Sequence, residues 1–407
     1  MIYKNITDLN TVILQASQGD GIVDLNKASI YVDKEIKIID HVTVRNGRIR
    51  FTGNEATITL RGRQPVLDNI TIDAASTSSI RGIIEFINTT DAKLNLVTIT
   101  GDTDRKAIFC KTAATDTRLE NVTVTGNIGW GVLFNDAVSE QSDKNYRFVE
   151  GRDYSTIAIG SGLYVTNFKF ENGVNSLKTG DGFEINCPDH GFSNIKINGI
   201  SIKNTKKSSS NGIGIGFARC SNVCIDQIYI ESSASDAIHF EKGAHHKITN
   251  FELVNCDRAL MASHTDDTQY IGGTCLNSGS WIISYSDREG EKYPPSRSML
   301  FENIIFDGAK RRGFLISNTS DSIFRNITCK NYNGNESMPI ILFYKVNAIV
   351  SPVTDSLLDT IYFVRGSSLK NPPYLIFFEK GGLRNKIINI DQSQYPEGKI
   401  FIDPTNN

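Results

Sequence analysis

Two short segments of this chain carry side chains suited to moving protons at the same spacing, Asp181-Gly-Phe-Glu-Ile-Asn186 and Asp236-Ala-Ile-His-Phe-Glu241. If both are strands, period-two alternation puts Glu184 with Asn186, and His239 with Glu241, on one face of each. Carboxyl groups set across a sugar ring at about 6.5–9.5 Å perform inverting glycoside hydrolysis, one protonating the glycosidic oxygen and the other activating water. A neighbouring acid raises a carboxyl pKa, so Asp181 beside Glu184, or Asp236 beside Glu241, is expected to keep one proton near neutrality. His239 is expected to shuttle a proton or to bond a sugar hydroxyl. Between these segments lies Asn211-Gly-Ile-Gly-Ile-Gly216. Its Gly214 and Gly216 carry no side chain where glycine weakens a strand, and would form the floor of a trough with acids on both sides. A lone exposed acid is usually only solvated; the cluster is what points to a site.

The elements that must position these residues announce themselves by repetition. An apolar-x-Asn-apolar-x-apolar strand recurs as Leu67-Asp-Asn-Ile-Thr-Ile72, Leu119-Glu-Asn-Val-Thr-Val124, Ile248-Thr-Asn-Phe-Glu-Leu253 and Phe324-Arg-Asn-Ile-Thr-Cys329, among others. From Ile70 to Ile327 the intervals are 27, 25, 46, 32, 28, 23, 23, 30 and 23 residues. Such a period means stacked supersecondary units, and the alternation within each makes the units strands. A second strand follows about a dozen residues later, as at Gly182–Asn186 and Ala237–Glu241. The expected fold is all-β, a single-stranded right-handed parallel β-helix of about a dozen coils. The recurrent Asn is expected to form a ladder of side-chain amides at a buried turn. An amphipathic segment Asp8–Ser17 is expected to cap the first coil. The expected organisation is one continuous domain, with a cap over residues 1–30, the β-helix over 31–350 and degenerate closing coils over 351–407.

Aligning the second strands gives columns one rung apart. The position just before the strand reads Lys106, Trp130, Asp181, Asn211, Asp236, Arg258, and the first outward position reads Phe109, Leu133, Glu184, Gly214, His239, Met261. The catalytic set expected is therefore Asp181, Glu184, Asp236, His239 and Glu241. Trp130, Asn135, Asn186, Asn211, Gly214, Gly216 and Arg258 are expected to bind substrate beside them. Two insertions, Asp136 to Gly160 and Ser286 to Arg297, are expected as loops that overhang the site, the first supplying Arg152 and Tyr154 to sugar rings. His245 and His246 are expected at a turn.

The bulk properties narrow the partners. Lys and Arg total 43 against 45 Asp and Glu, which speaks against a broad nucleic-acid footprint. No apolar run is long enough for a membrane-spanning helix, and the first residues lack the pattern of a secretory signal. Seven cysteines without framework or metal spacing read as buried thiols. No metal or cofactor is expected.

The segments around Asp181 and Asn211 resemble the Asn-Thr-Asp-Gly-Ile-Asp and Gly-His-Gly-Ile-Ser-Ile-Gly patterns of the polygalacturonase-like pectin-lyase superfamily. Asp181 matches that family's first catalytic Asp; the paired Asp-Asp is absent and Asn211 stands where the family has His. Within that superfamily the irregular coils and Asn-rich turns are similar to bacteriophage tailspike depolymerases. The resemblance implies a homotrimer on a virion tail that binds and hydrolyses a bacterial capsular or exopolysaccharide outside the cell. A protein secreted by a non-Sec route is the other location. The competing functions are a polysaccharide lyase and a glycan-binding spike without catalysis.

Overall fold

The computed structural model describes residues 9–74, 79, 81–110, 112–135, 160–186, 191–207, 212–284, 295–334, 337–344, 353–366, 371–379 and 383–403. These form one helix and 28 strands, and the strand ladders that connect them run parallel. The right-handed parallel β-helix expected from the repeat is the fold. The chain divides into two compact units, residues 1–146 with 155–220 and residues 147–154 with 221–407.

In the first unit the helix Leu9–Ser17 buries Leu9, Ile13 and Ala16, the i, i+4, i+7 stripe of one helix face. It lies where the cap was expected. Asn10 fastens it to the strand Glu35–Ile38, donating to the Glu35 carbonyl at 2.7 Å and accepting from the Lys37 amide at 2.8 Å. The helix so occupies backbone groups that an open strand edge would leave to water.

Two inward columns make the core of this unit. One runs Val44, Leu67, Leu94, Leu119, Val165, Ile197 and the other Ile58, Ile84, Ile108, Val132, Phe183, Ile215, each residue in register with the next. None is more than 3% exposed, and each contributes roughly 1.5–3 kcal/mol by leaving water. Polar groups are buried in this unit too, Arg105 the largest of them. The Arg105 guanidinium donates to the carbonyls of Ala56 and Gly82, both at 2.7 Å, and burial pushes its pKa down to about 10.

The second unit repeats the plan. Ile225, Ile248, Tyr270, Phe301, Phe324 and Leu358 form one inward column, and Ile238, Leu260, Ile282, Phe314, Ile341 and Ile376 another. Tyr270, Phe301 and Phe324 stack ring on ring at 4.9 Å, so the rung spacing itself sets an offset aromatic stack. Regular pairing continues through Lys386–Asp391 and Ile400–Ile402, within the segment where the repeat weakens in sequence.

The recurrent Asn forms ladders, but at exposed corners and not at a buried turn. Asn69 donates to Asn46 at 2.9 Å, Asn167 to Asn121 at 3.0 Å and Asn326 to Asn303 at 2.6 Å. All six have φ between 52° and 57°, the left-handed region that Asn tolerates better than other residues with a β-carbon. Backbone geometry selects Asn at these corners, and the ladder follows from stacking identical corners. His245 sits at such a corner with φ 60°, whereas His246 corrects the expectation of a turn residue: it lies in the core, 2% exposed, stacked on Phe240 at 4.4 Å. Five of the six described cysteines are buried thiols; Cys224 is exposed.

Candidate active site

In the second unit the strand Asp236–Val254 presents a chain of ionisable groups. Ile238 and Phe240 point into the core, so alternation turns His239 and Glu241 outward. Asp236 is 1% exposed at the start of the strand, and its carboxylate lies 2.8 Å from His239 Nδ1. Arg258, its register partner on the next strand, forks onto the same carboxylate, with Nη2 donating to Oδ2 at 2.9 Å. His239 Nε2 stands 3.9 Å from Glu241 Oε2, and Glu241 Oε1 lies 2.8 Å from Lys242 Nζ. The result is an imidazole between two carboxylates, each matched by its own cation.

Burial of this imidazole disfavours its charged form. The hydrogen bond and charge of Asp236, with the charge of Glu241 behind them, outweigh that burial and raise the pKa above 6.5. The His239 side chain is still 18% exposed. On the next rung Ser263 stands in register with Glu241 and bonds His264 Nδ1 at 2.9 Å. Burial pushes His264 down to about 4, so it is neutral at physiological pH.

The first unit holds the other expected residues. Glu184 is outward on the strand Phe183–Asn186, between the buried Phe183 and Ile185. Asn186 donates to it at 3.4 Å and accepts from Arg219 Nη1 at 2.9 Å. Leu133 is its register partner on one side, in line with Phe109, and Trp130 pairs with Lys106. The Lys106 ammonium sits 5.0 Å from the Phe109 ring centroid. Asn135 follows the same strand, half-buried.

Asp181 has a different place from the one expected. It is 2% exposed, and its Oδ1 accepts the amides of Gly212 at 2.6 Å and Ile213 at 2.8 Å. The carboxylate clasps the backbone that leads into the strand Ile215–Ala218. The glycine register is also different. Glu184 faces Gly216, not Gly214, while the Gly214 carbonyl accepts the Phe183 amide at 2.9 Å. A β-carbon added at Gly216 would lie 3.4 Å from Ile213 and 3.6 Å from Glu184, ordinary contacts, so packing does not demand glycine there.

The acids expected on the two sides of the trough belong to different units, and each is described within its own. Asn211, Arg152 and Tyr154 lie outside the described residues, as do most of both insertions. The contact of Lys242 with Glu241 and the pairing of Ser263 with His264 were missed in sequence. Their signal is a left-handed corner, which a single sequence does not mark when the residue there is not Asn or Gly. Among the described residues no cluster of His, Cys, Asp and Glu is arranged to hold a metal ion. No described helix is long and apolar enough to cross a membrane.

The chain matches no protein-family model and no curated protein by sequence. Its fold is similar to that of a hyperthermoactive exopolygalacturonase from Thermotoga maritima, with 10% identity and a TM-score of 0.50 over 88% of this chain and 87% of that one. Weaker likenesses include the Dettilon tailspike protein, at 9% identity and TM-score 0.42 over 98% of this chain and 66% of that one. Another is the A-module of the Azotobacter vinelandii mannuronan C-5 epimerase AlgE4, at 8% identity and TM-score 0.42 over 94% and 96%. At these identities the likeness is one of fold alone.

Proposed function

We propose that this protein cleaves a polysaccharide by hydrolysis and that His239 moves the proton. The observation that carries the reading is the 2.8 Å contact between His239 Nδ1 and the buried Asp236 carboxylate. Asp236 fixes the ring and favours imidazolium, which leaves Nε2 to donate a proton to a glycosidic oxygen. Glu241, beside Lys242, serves as the carboxylate that takes a proton from the attacking water. The division of labour differs from the two carboxylic acids expected in sequence, because Asp236 is enclosed by Arg258 and His239, and Asp181 by backbone amides. The shared fold with an exopolygalacturonase supports a glycan as substrate. From the sequence resemblance alone we extend the proposal to a bacterial surface polysaccharide and to a homotrimer on a virion tail.

One distance favours a second reading. His239 Nε2 and Glu241 Oε2 are 3.9 Å apart, closer than the roughly 5–9.5 Å that separates the two catalytic carboxyl groups of glycosidases. Two groups that close, with Lys242 and Arg258 nearby, suit removal of the proton beside a uronate carboxylate with departure of the neighbouring oxygen.

Incubation with a panel of neutral and uronate-containing bacterial polysaccharides decides between them. New reducing ends without ultraviolet absorbance mean hydrolysis, and the absorbance of an unsaturated uronide means elimination. Binding of a polysaccharide with no new ends would overturn the catalytic reading. Light scattering in solution tests the trimer.

A further inference from the structure

Lys242 holds a backbone conformation that residues with a long side chain adopt less readily than Asn or Gly. It has φ 54°, in the left-handed region, at the corner that ends the row of His239 and Glu241. Corners of this conformation elsewhere in the unit are held by Asn250, Asn303, Asn326 and Asn389, with φ between 52° and 57°, and by Gln227, His264, Thr360 and Arg384, with φ between 54° and 59°. Asn tolerates the conformation because its short amide bonds the local backbone, an option a lysine lacks. Strain kept at a functional site is a reason to look for a task there.

The strained corner changes where the side chain goes. In a regular strand the residue after outward Glu241 faces the core. The left-handed turn brings Lys242 back toward its predecessor, and its ammonium reaches Glu241 Oε1 at 2.8 Å while the side chain is 7% exposed. The other carboxylate oxygen then stops 3.9 Å from His239 Nε2, beyond hydrogen-bond length.

We infer that Lys242 is a positioning residue that holds the Glu241 carboxylate off His239 Nε2, keeping that nitrogen open to substrate. The inference rests on the proposed role of His239. The charged and titratable groups of this unit around the imidazole are Asp236, Glu241 and Lys242 from its own strand, with Arg258 and His264 from the next. Without Lys242, the protonated Nε2 stands 3.9 Å from Glu241 as a cationic donor within its reach. The pair would close, tie up the reactive nitrogen and favour imidazolium further.

Lys242→Asn is the informative variant, because the corner accepts Asn readily and the fold should be kept. Nitrogen-15 NMR of the histidine side chains should show the His239 midpoint rising by about one pH unit in Lys242→Asn, with Nε2 shifted toward a hydrogen-bonded state. Lys242→Arg, which restores the cation, should return both signals to their wild-type values. In parallel, the alkaline limb of polysaccharide cleavage should move up with the midpoint while turnover falls. A folded Lys242→Asn protein with an unmoved His239 midpoint would overturn the inference. So would a shift that Lys242→Arg does not reverse. The NMR arm needs no activity, so a wild-type protein that cleaves nothing would sink the proposed function and leave this test standing.

Discussion

The His239 imidazole is held by Asp236 three residues before it in the same strand, Nδ1 to Oδ2 at 2.8 Å, while Arg258 grips that carboxylate from the neighbouring rung. One outward and one buried side chain of a single strand thus form a proton-transfer pair on a rigid support. His239→Gln should lower polysaccharide cleavage by about 10²–10⁴-fold. Asp236→Asn should also lose activity, and should move the His239 midpoint down in a side-chain NMR titration. Full activity in a folded His239→Gln protein would remove His239 from the mechanism.

Half-buried His239 and buried His246, on the same strand, should affect stability in opposite directions. His239 has a folded pKa raised above 6.5, so its contribution is complete at low pH and is lost as pH rises through the folded value. His246 is neutral in the core, with no hydrogen-bond partner for either nitrogen among the described residues, and burial pushes it down to about 3. The unfolded chain gains a proton on His246 below pH 6.5 and the folded chain does not until about 3, so stability is lost as pH falls across that window. Each pH unit of displacement is worth about 1.4 kcal/mol. Denaturant melts from pH 7 to 4 should therefore fall less steeply for His246→Phe, a ring that keeps the Phe240 stack. An unchanged slope would show that His246 does not govern acid lability.

The corner ladders separate into a backbone effect and a side-chain effect. Asn326 bonds Asn303 at 2.6 Å and holds φ 52°. Asn326→Ala loses both and should cost about 2–3 kcal/mol, whereas Asn326→Gly keeps the conformation and should cost about 1 kcal/mol. Equal losses in chemical denaturation would mean that the left-handed geometry contributes nothing measurable.

Asp181→Ala should act on stability before chemistry. It leaves the buried Gly212 and Ile213 amides without their carboxylate, a loss of about 3 kcal/mol or more. A variant as stable as the parent but inactive would return Asp181 to the catalytic set.

The sequence by itself determined the coil architecture, because a repeat of 23 to 46 residues with period-two alternation leaves little choice but stacked parallel strands. It also determined which of His239, Phe240 and Glu241 face out, and it placed Asp236 beside Arg258, since aligning the second strands puts the two in one column. Tertiary structure decided what alternation leaves degenerate. A slip of two residues keeps every side chain on its face, so hydrophobic pattern does not distinguish Gly214 from Gly216 opposite Glu184; the path of the corners does. It likewise decided that Asp181 turns inward onto backbone amides and that Lys242 folds back onto Glu241, because both depend on left-handed or irregular corners whose dihedrals no spacing of residues records.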